Sequence, residues 1–211
     1  MVSTRTREPA AGRVADGARR AVARATASSR TVRDGLQRLA DADQAVIAAL
    51  PGWRTPRGVP VAKAISAAAE PPVAGPLLAA ACVIAARRDG WRAAALPAVA
   101  IPAGVAARRM LSDLIARPRP PAELWLAEPE GYSLPSRHTT LAALTAGALA
   151  ELAGLPDGPR RAVTLLAAAT AGASRVYLGV HWPSDVLAGW LFAEAWLTLT
   201  TSPAPIASGA G

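Results

Sequence analysis

The sequence predicts an all-α protein, a polytopic membrane bundle of five or six transmembrane helices. Of its 211 residues, 52% are hydrophobic but only 4% are aromatic, so small aliphatic side chains supply the apolar surface and a disordered chain is excluded. Five runs lack the polar face of a soluble surface helix, and each is near the roughly 17–25 residues that cross a bilayer. They are 71–86, 91–107, 138–155, 162–180 and 184–200. A soluble helical bundle is the alternative, because prolines interrupt the first two runs.

The segments outside these runs differ in composition. Residues 1–40 contain nine arginines, three acidic residues and no long apolar run, which predicts a disordered or interfacial tail. Residues 41–202 form the predicted membrane domain, in which 42–70 is either an interfacial helix or a sixth crossing. Residues 203–211 form a second disordered tail. We expect no secretory signal peptide, because no apolar stretch of roughly 7–15 residues follows the first arginines.

The charge balance restricts the class of partner. With 23 Lys and Arg against 15 Asp and Glu, the net charge is +8, which suits nucleic acid, an anionic membrane surface or a phosphorylated substrate. The arginine-rich tail lacks interleaved aromatic residues and a recognisable nucleic-acid-binding module, so we expect no nucleic-acid partner. The single cysteine, Cys82, excludes an intramolecular disulfide and a multi-cysteine zinc site.

Alternation of five crossings would place the connections 108–137 and 180–184 on the same side of the membrane. Each side would then carry five arginines, so the excess of positive charge in cytoplasmic loops cannot orient the bundle. The side with the connections 108–137 and 180–184 carries Arg108, Arg109, Arg117, Arg119 and Arg137, and the opposite side carries Arg87, Arg88, Arg92, Arg160 and Arg161. Only if some arginines of the first group serve a site does the opposite side have the greater free positive charge, and it is then predicted to be cytoplasmic.

The two histidines of the chain, His138 and His181, lie at the connections 108–137 and 180–184. His138 begins the third run, where a helix N-terminus favours an anion. Asp185 follows His181 by four residues at a helix start, so its carboxylate can hold one ring N–H and leave the other nitrogen free to attack. The second histidine can then give a proton to a leaving oxygen. Planar, permanently charged donors for a phosphoryl group are available nearby in Arg119, Arg137 and Arg175.

These residues resemble the type 2 phosphatidic acid phosphatase superfamily, which is related to bacterial acid phosphatases and vanadium haloperoxidases. Its motifs are Lys-x6-Arg-Pro, Pro-Ser-Gly-His and Ser-Arg-x5-His-x3-Asp. The third motif matches in full, as Ser174-Arg175, His181 and Asp185. The second matches as Pro135, Ser136 and His138, with Arg137 in the glycine position. The first matches only as Arg119-Pro120, with Ser112 in the lysine position.

The resemblance implies a helical lipid phosphatase and a role for each matching residue. His181 would be the nucleophile that forms a phosphohistidine, Asp185 its orienting carboxylate, and His138 the general acid. The phosphate oxygens would be bound by Arg119, Ser136, Ser174 and Arg175. The mechanism requires no metal and no cofactor. The substrate would be phosphatidic acid, phosphatidylglycerol phosphate or a polyprenyl phosphate or diphosphate, at the outer face of a bacterial inner membrane.

Two departures from the family pattern affect the phosphate pocket. The missing lysine removes a positive donor, and an arginine replaces a glycine of the pocket wall. We hypothesise that Arg137, or Arg109 one helical turn before Ser112, supplies the lost charge. The alternative is that Arg137 points to lipid headgroups or to Glu130. The alternatives to a lipid phosphatase are a weakly active or inactive membrane protein that binds phospholipid headgroups, and a vanadate-dependent, haloperoxidase-like enzyme. The oligomeric state is not predicted.

Overall fold

A computed structural model describes the backbone of residues 10–201 and the side chains of residues 30–200, except that of Leu96. This part of the chain contains α-helices and one short 3-10 helix, Ala122–Leu124, and no strand. The prediction of an all-α fold is therefore confirmed. The helices are α1 (Ala10–Trp53), α2 (Gly58–Ala68), α3 (Pro71–Asp89), α4 (Trp91–Ile115), α5 (Arg137–Leu152), α6 (Asp157–Tyr177) and α7 (Pro183–Thr201).

The N-terminal segment is helical from Ala10. It belongs to α1, a single helix of 44 residues that continues to Trp53, whereas the sequence predicts a disordered or interfacial tail over residues 1–40. Residues 1–9 and the predicted C-terminal tail, 203–211, lie outside the described part of the chain. The chain divides into two compact units between Ala42 and Asp43, and the candidate site lies in the second unit.

The helices α3 to α7 correspond to the five runs of the sequence. Prolines open two of them, Pro71 in α3 and Pro183 in α7, where the first turn of a helix needs no N–H donor from that residue. The break between α3 and α4 is at Gly90, whose φ of 88° favours glycine. Segment 42–70 contains the end of α1 and the whole of α2.

Only α4, among the helices of residues 10–201, is long and apolar enough by itself to cross a membrane. The helices α2 and α3 meet the same requirement together as a pair bent by 45°. This is fewer than the five or six crossings that the sequence predicts. The difference arises because α5 has only 16 residues, and because α6 and α7 carry arginine, threonine and glutamate side chains between weakly apolar alanines.

The core lies around α5, which packs against α3, α4, α6 and α7. Small residues bring the helix axes close together, as in membrane bundles. At Gly172 of α6, a Cβ atom would lie 2.1 Å from Cγ1 of Val186 on α7. At Gly147 of α5, it would lie 2.4 Å from Cδ1 of Leu197. Larger side chains at these positions would push α7 away from the site that it helps to build.

The two connections with the histidines meet at one end of the bundle. The backbone N–H of Leu126 donates to the carbonyl of Leu178 at 2.9 Å. Gly179 has a φ of 78°, and a Cβ there would lie 2.2 Å from the carbonyl oxygen of Leu124, so only glycine allows this approach. At the other end, a cavity of about 280 Å³ is lined by residues that include Asp89, Arg92 and Glu151.

Candidate active site

His181 and Asp185 form a buried pair at the start of α7. The carboxylate Oδ2 of Asp185 lies 3.3 Å from Nδ1 of His181 and accepts the backbone N–H of Trp182 at 2.9 Å. Asp185 has an exposed fraction of 0%. Because a carboxylate only accepts, it selects the imidazole tautomer with hydrogen on Nδ1 and leaves a lone pair on Nε2. The pair therefore has the geometry that its four-residue spacing predicts.

Asp185 is itself held by a second group of side chains. Nη1 of Arg117 donates to Oδ1 of Asp185 at 2.6 Å and to Oγ of Ser184 at 2.7 Å. Nη2 of Arg117 donates to Asp43 at 2.8 Å, and Asp43 accepts the backbone N–H of Ser184 at 2.9 Å. The sequence analysis missed this orienting function of Arg117 and Asp43. Arg117 belongs to the Arg-Pro-Arg-Pro segment that ends in the first motif, but no signal connects Asp43, over 140 residues from Ser184, to the site.

Arg119 faces the free nitrogen of His181. Its Nη1 lies 3.1 Å from Nε2 of His181. The same Nη1, together with Nε and Nη2, donates to backbone carbonyls at 2.6 to 3.0 Å, and these hydrogen bonds fix the orientation of the guanidinium. The acceptors are the carbonyl oxygens of Val180, Glu130, Gly131 and Tyr132. Arg119 is thus placed to contact an anion bound at Nε2, as its predicted function requires.

Burial determines the protonation states of His181 and Arg119. Removal from water lowers the pKa of His181 from 6.5 to about 4, and the positive charge of Arg119 acts in the same direction, while the hydrogen bond with Asp185 opposes it. Burial also lowers the pKa of Arg119 to about 10. At neutral pH the histidine is therefore neutral and the guanidinium is charged, which is the combination that a histidine nucleophile and an anion-binding donor need.

His138 is the second histidine of the cluster, and its electrostatic neighbours include His181, Arg119 and Arg175. It is buried in the first turn of α5. Its Nε2 lies 2.6 Å from Oε1 of Glu70, a close contact without hydrogen-bond geometry. The structure therefore brings His138, His181, Arg119 and Arg175 together.

Arg137 makes two ion pairs beside His138. Its Nη2 donates to both carboxylate oxygens of Glu70 at 3.0 Å, and its Nη1 lies 3.4 Å from Oε2 of the exposed Glu130. Contact with Glu130 was one of the two alternatives for this side chain. The sequence analysis missed Glu70, which belongs to no motif and reaches the site from the break between α2 and α3.

Arg175 and the two motif serines have internal partners. Nη1 of Arg175 donates to Oγ of Ser66 at 2.8 Å, and its buried Nε has no hydrogen-bond partner within the described residues. Ser136 is the N-cap of α5, and its Oγ accepts from the hydroxyl of Thr139 at 3.0 Å. The Oγ of Ser174 donates to a backbone carbonyl of its own helix at 2.7 Å. Phosphate binding by the two serines stays a prediction.

Two arginines lie one helical turn before Ser112, the residue in the lysine position: Arg108 precedes it by four residues and Arg109 by three. Arg109 is exposed on α4 and lines an apolar groove beside α3 and α5. Arg108 is buried, donates to the carbonyl of Pro135 at 2.8 Å, and lies close enough to Arg119 and Arg137 for their charges to repel. Arg108, which the sequence analysis does not name as a substitute for the lysine, is thus the buried one of the two arginines.

The cluster of two histidines and their arginine neighbours is suited to nucleophilic substitution at an anionic group. A neutral imidazole nitrogen faces fixed positive donors, and a second histidine lies within the same cluster. Such a site can attack an electrophilic centre that carries negative charge and can protonate the group that leaves.

Comparison with known proteins identifies a family and similar proteins. The model of the PAP2 superfamily matches residues 93–204, more than half of the chain. An undecaprenyl-diphosphatase of Sulfolobus acidocaldarius is 37% identical over 78 residues, and the match covers 37% of this chain and 36% of that protein. The chain thus matches little more than a third of that relative's length.

The second relative is a solved structure. It is described as the first transmembrane PAP2 type phosphatidylglycerolphosphate phosphatase from Bacillus subtilis, and it superposes with a TM-score of 0.66 at 24% sequence identity. The superposition covers 76% of this chain and 83% of that protein, so the two share a fold.

Proposed function

Because this chain belongs to the PAP2 superfamily, we propose that it is an integral membrane phosphatase that hydrolyses a lipid phosphomonoester or diphosphate through a phosphohistidine on His181. The observation that carries the proposal is the position of His181 between the carboxylate of Asp185 and the guanidinium of Arg119. The names of the two relatives, an undecaprenyl-diphosphatase and a phosphatidylglycerolphosphate phosphatase, support a lipid phosphate as the substrate.

The first step transfers the phosphoryl group to the enzyme. The lone pair on Nε2 of His181 forms a bond to phosphorus while the bond between phosphorus and the leaving oxygen breaks. Asp185 stabilises the imidazole as it becomes positively charged, and His138 gives its proton to the leaving oxygen. Arg119 and Arg175 stabilise the negative charge on the phosphoryl oxygens.

The second step returns the enzyme to its initial state. His138, now neutral, accepts a proton from a water molecule as that water attacks phosphorus. The bond between phosphorus and Nε2 breaks, its electron pair returns to His181, and inorganic phosphate leaves. One histidine thus serves as acid and then as base, while the other carries the phosphoryl group.

The proposal includes a membrane-embedded bundle of five or six crossings. Support comes from α4, which is long and apolar enough to span, and from the bent pair α2 and α3. Large apolar side chains also point outward from the bundle, such as Leu114 at 82% and Leu199 at 79% exposure. A lipid environment would cover these surfaces, which a soluble protein would leave in water.

We further propose that the site opens at the outer face of a bacterial inner membrane. Three of the five arginines on the site's side, Arg117, Arg119 and Arg137, are engaged in the contacts of the cluster, and Arg108 is buried beside them. The arginines of the opposite end are mostly exposed. Free positive charge is therefore greater at that opposite end, which by the positive-inside rule is cytoplasmic.

Phosphate release from a substrate panel tests the proposal. The purified protein in detergent is given phosphatidic acid, phosphatidylglycerol phosphate and a polyprenyl diphosphate, with EDTA present, and His181→Ala is assayed beside it. We expect release that survives EDTA and disappears in the variant. A folded protein that binds these lipids without releasing phosphate would contradict the enzyme and favour the headgroup-binding alternative.

A further inference from the structure

Glu70 is fixed at the corner between α2 and α3. It precedes Pro71 and Pro72, and its backbone carbonyl accepts the N–H groups of Val73 and Ala74 at 3.0 Å each. The backbone therefore cannot move the carboxylate without disturbing the first turn of α3. The side chain itself is 31% exposed, so it can rotate toward solvent.

The carboxylate of Glu70 is surrounded by groups that an anionic substrate would use. Both of its oxygens accept from Nη2 of Arg137, and Oε1 lies 2.6 Å from Nε2 of His138. Arg175 is near enough to interact with its charge. Carboxylates and phosphates bind the same guanidinium donors with similar geometry, so the two anions compete for one position.

The contact between Glu70 and His138 also covers Nε2 of His138, the atom that would donate the proton. For His138 to give a proton to a leaving oxygen through Nε2, that oxygen must come within hydrogen-bond distance of Nε2. The carboxylate of Glu70 occupies this space in the structure. Productive binding therefore requires Glu70 to leave.

We propose that Glu70 is an internal anion that occupies part of the phosphate subsite beside Arg137 and His138, and that substrate binds by displacing it. The proposal rests on the proposed function in so far as these two residues face the phosphate. It makes Glu70 a determinant of affinity: the energy of its ion pair with Arg137 is subtracted from the binding energy of every phosphate that enters.

Phosphate binding by the full-length protein in detergent tests this proposal without requiring turnover. Inorganic phosphate is titrated by calorimetry into the wild type and Glu70→Gln, which keeps the shape and removes the charge. We expect phosphate to bind Glu70→Gln about fivefold more tightly, the factor that corresponds to one partly exposed ion pair. The KM for the lipid substrate should fall with it, without a loss of kcat.

Glu130→Gln is the matched control. It removes the other carboxylate that contacts Arg137, but Glu130 is 80% exposed and makes its contact at 3.4 Å. We expect phosphate affinity within about twofold of the wild type. Glu70→Asp is a second test variant, because a shorter side chain keeps the charge but withdraws it from His138, and it should also bind phosphate more tightly. Thermal melting establishes that each variant is folded.

The outcomes separate this proposal from the phosphatase activity. Unchanged or weaker phosphate binding in Glu70→Gln would overturn the displacement of Glu70. So would a lower kcat with unchanged phosphate affinity, because Glu70 would then position His138 for catalysis. Tighter phosphate binding in a protein that hydrolyses no lipid would support the displacement and contradict the proposed enzyme.

Discussion

His181 depends on two neighbours with different tasks. Asp185 determines which ring nitrogen carries hydrogen, and Arg119 faces the nitrogen that is left free. Burial then keeps the ring neutral well below the pH at which an exposed histidine becomes charged. The contacts of His181 therefore determine the protonation state of the proposed nucleophile. Two predictions concern single side chains in this cluster.

The pH dependence of kcat/KM should show the lowered pKa of His181. Protonated Nε2 cannot attack, so activity should be half lost near pH about 4 and not near 6.5. The unfolded chain binds this proton at the higher pH, so the stability that neutral His181 contributes should be present above 6.5 and lost as the pH falls through about 4. The measurement is a pH profile with a monoester and a diphosphate, because the ionisation of the substrate shifts between the two. An acid limb near 6.5 with both substrates would contradict the buried, neutral nucleophile.

Arg108 should replace the charge of the missing lysine. Arg108→Ala is expected to lower kcat/KM at least about tenfold, because a buried charge near the phosphate site contributes more than an exposed one. Arg109→Ala removes the same charge from the exposed neighbouring position and should change kcat/KM less than about twofold. Phosphate release by both variants is the measurement. Equal losses, or a larger loss in Arg109→Ala, would contradict the role of Arg108 as the replacement for the lysine.

The packing of α6 against α7 places the two halves of the third motif. Ser174 and Arg175 end α6, His181 lies in the following turn, and Asp185 begins α7. Gly172 lies against Val186 at this contact, with no room for a Cβ. The distance between the helices therefore determines where the motif's side chains meet.

Gly172→Ala should destabilise the protein by about 1–3 kcal/mol, because the new methyl group overpacks the contact with Val186. Gly158→Ala is the control: it lies on the same helix with nothing within 4 Å and should be neutral or slightly stabilising. Thermal melting in detergent measures both. Adding Val186→Ala to Gly172→Ala should restore much of the loss, and additive losses in the double variant would argue against the contact.

We predict that the two ends of the helical bundle face opposite sides of the membrane. In a Cys82→Ala background, single cysteines are placed at the exposed positions of Glu123, near the site, and Arg161, at the opposite end. A membrane-impermeant maleimide should label position 123 in intact cells and position 161 only after permeabilisation. Labelling of both positions in intact cells, or the reverse order, would contradict the proposed orientation.

The helices and the contact between His181 and Asp185 can be predicted from the sequence for physical reasons that do not extend to the rest of the site. Apolar runs and motif spacing are local, so α3 to α7 and the His181–Asp185 pair could be predicted. Glu70 and Asp43 meet the site through long-range packing that no local pattern records. The sequence analysis names Arg109 and not Arg108, yet both are about one turn from Ser112, and only packing shows which is buried.

The central claim, a phosphohistidine on His181, is tested most directly by trapping the phosphoryl enzyme. The wild type is mixed with the ³²P-labelled lipid substrate that the panel identifies, quenched rapidly in alkali, and mapped by peptide analysis. The account predicts label on the peptide that contains His181, none in His181→Ala, and label retained in His138→Ala. Phosphate release with no label on His181, or label on another residue, would contradict it.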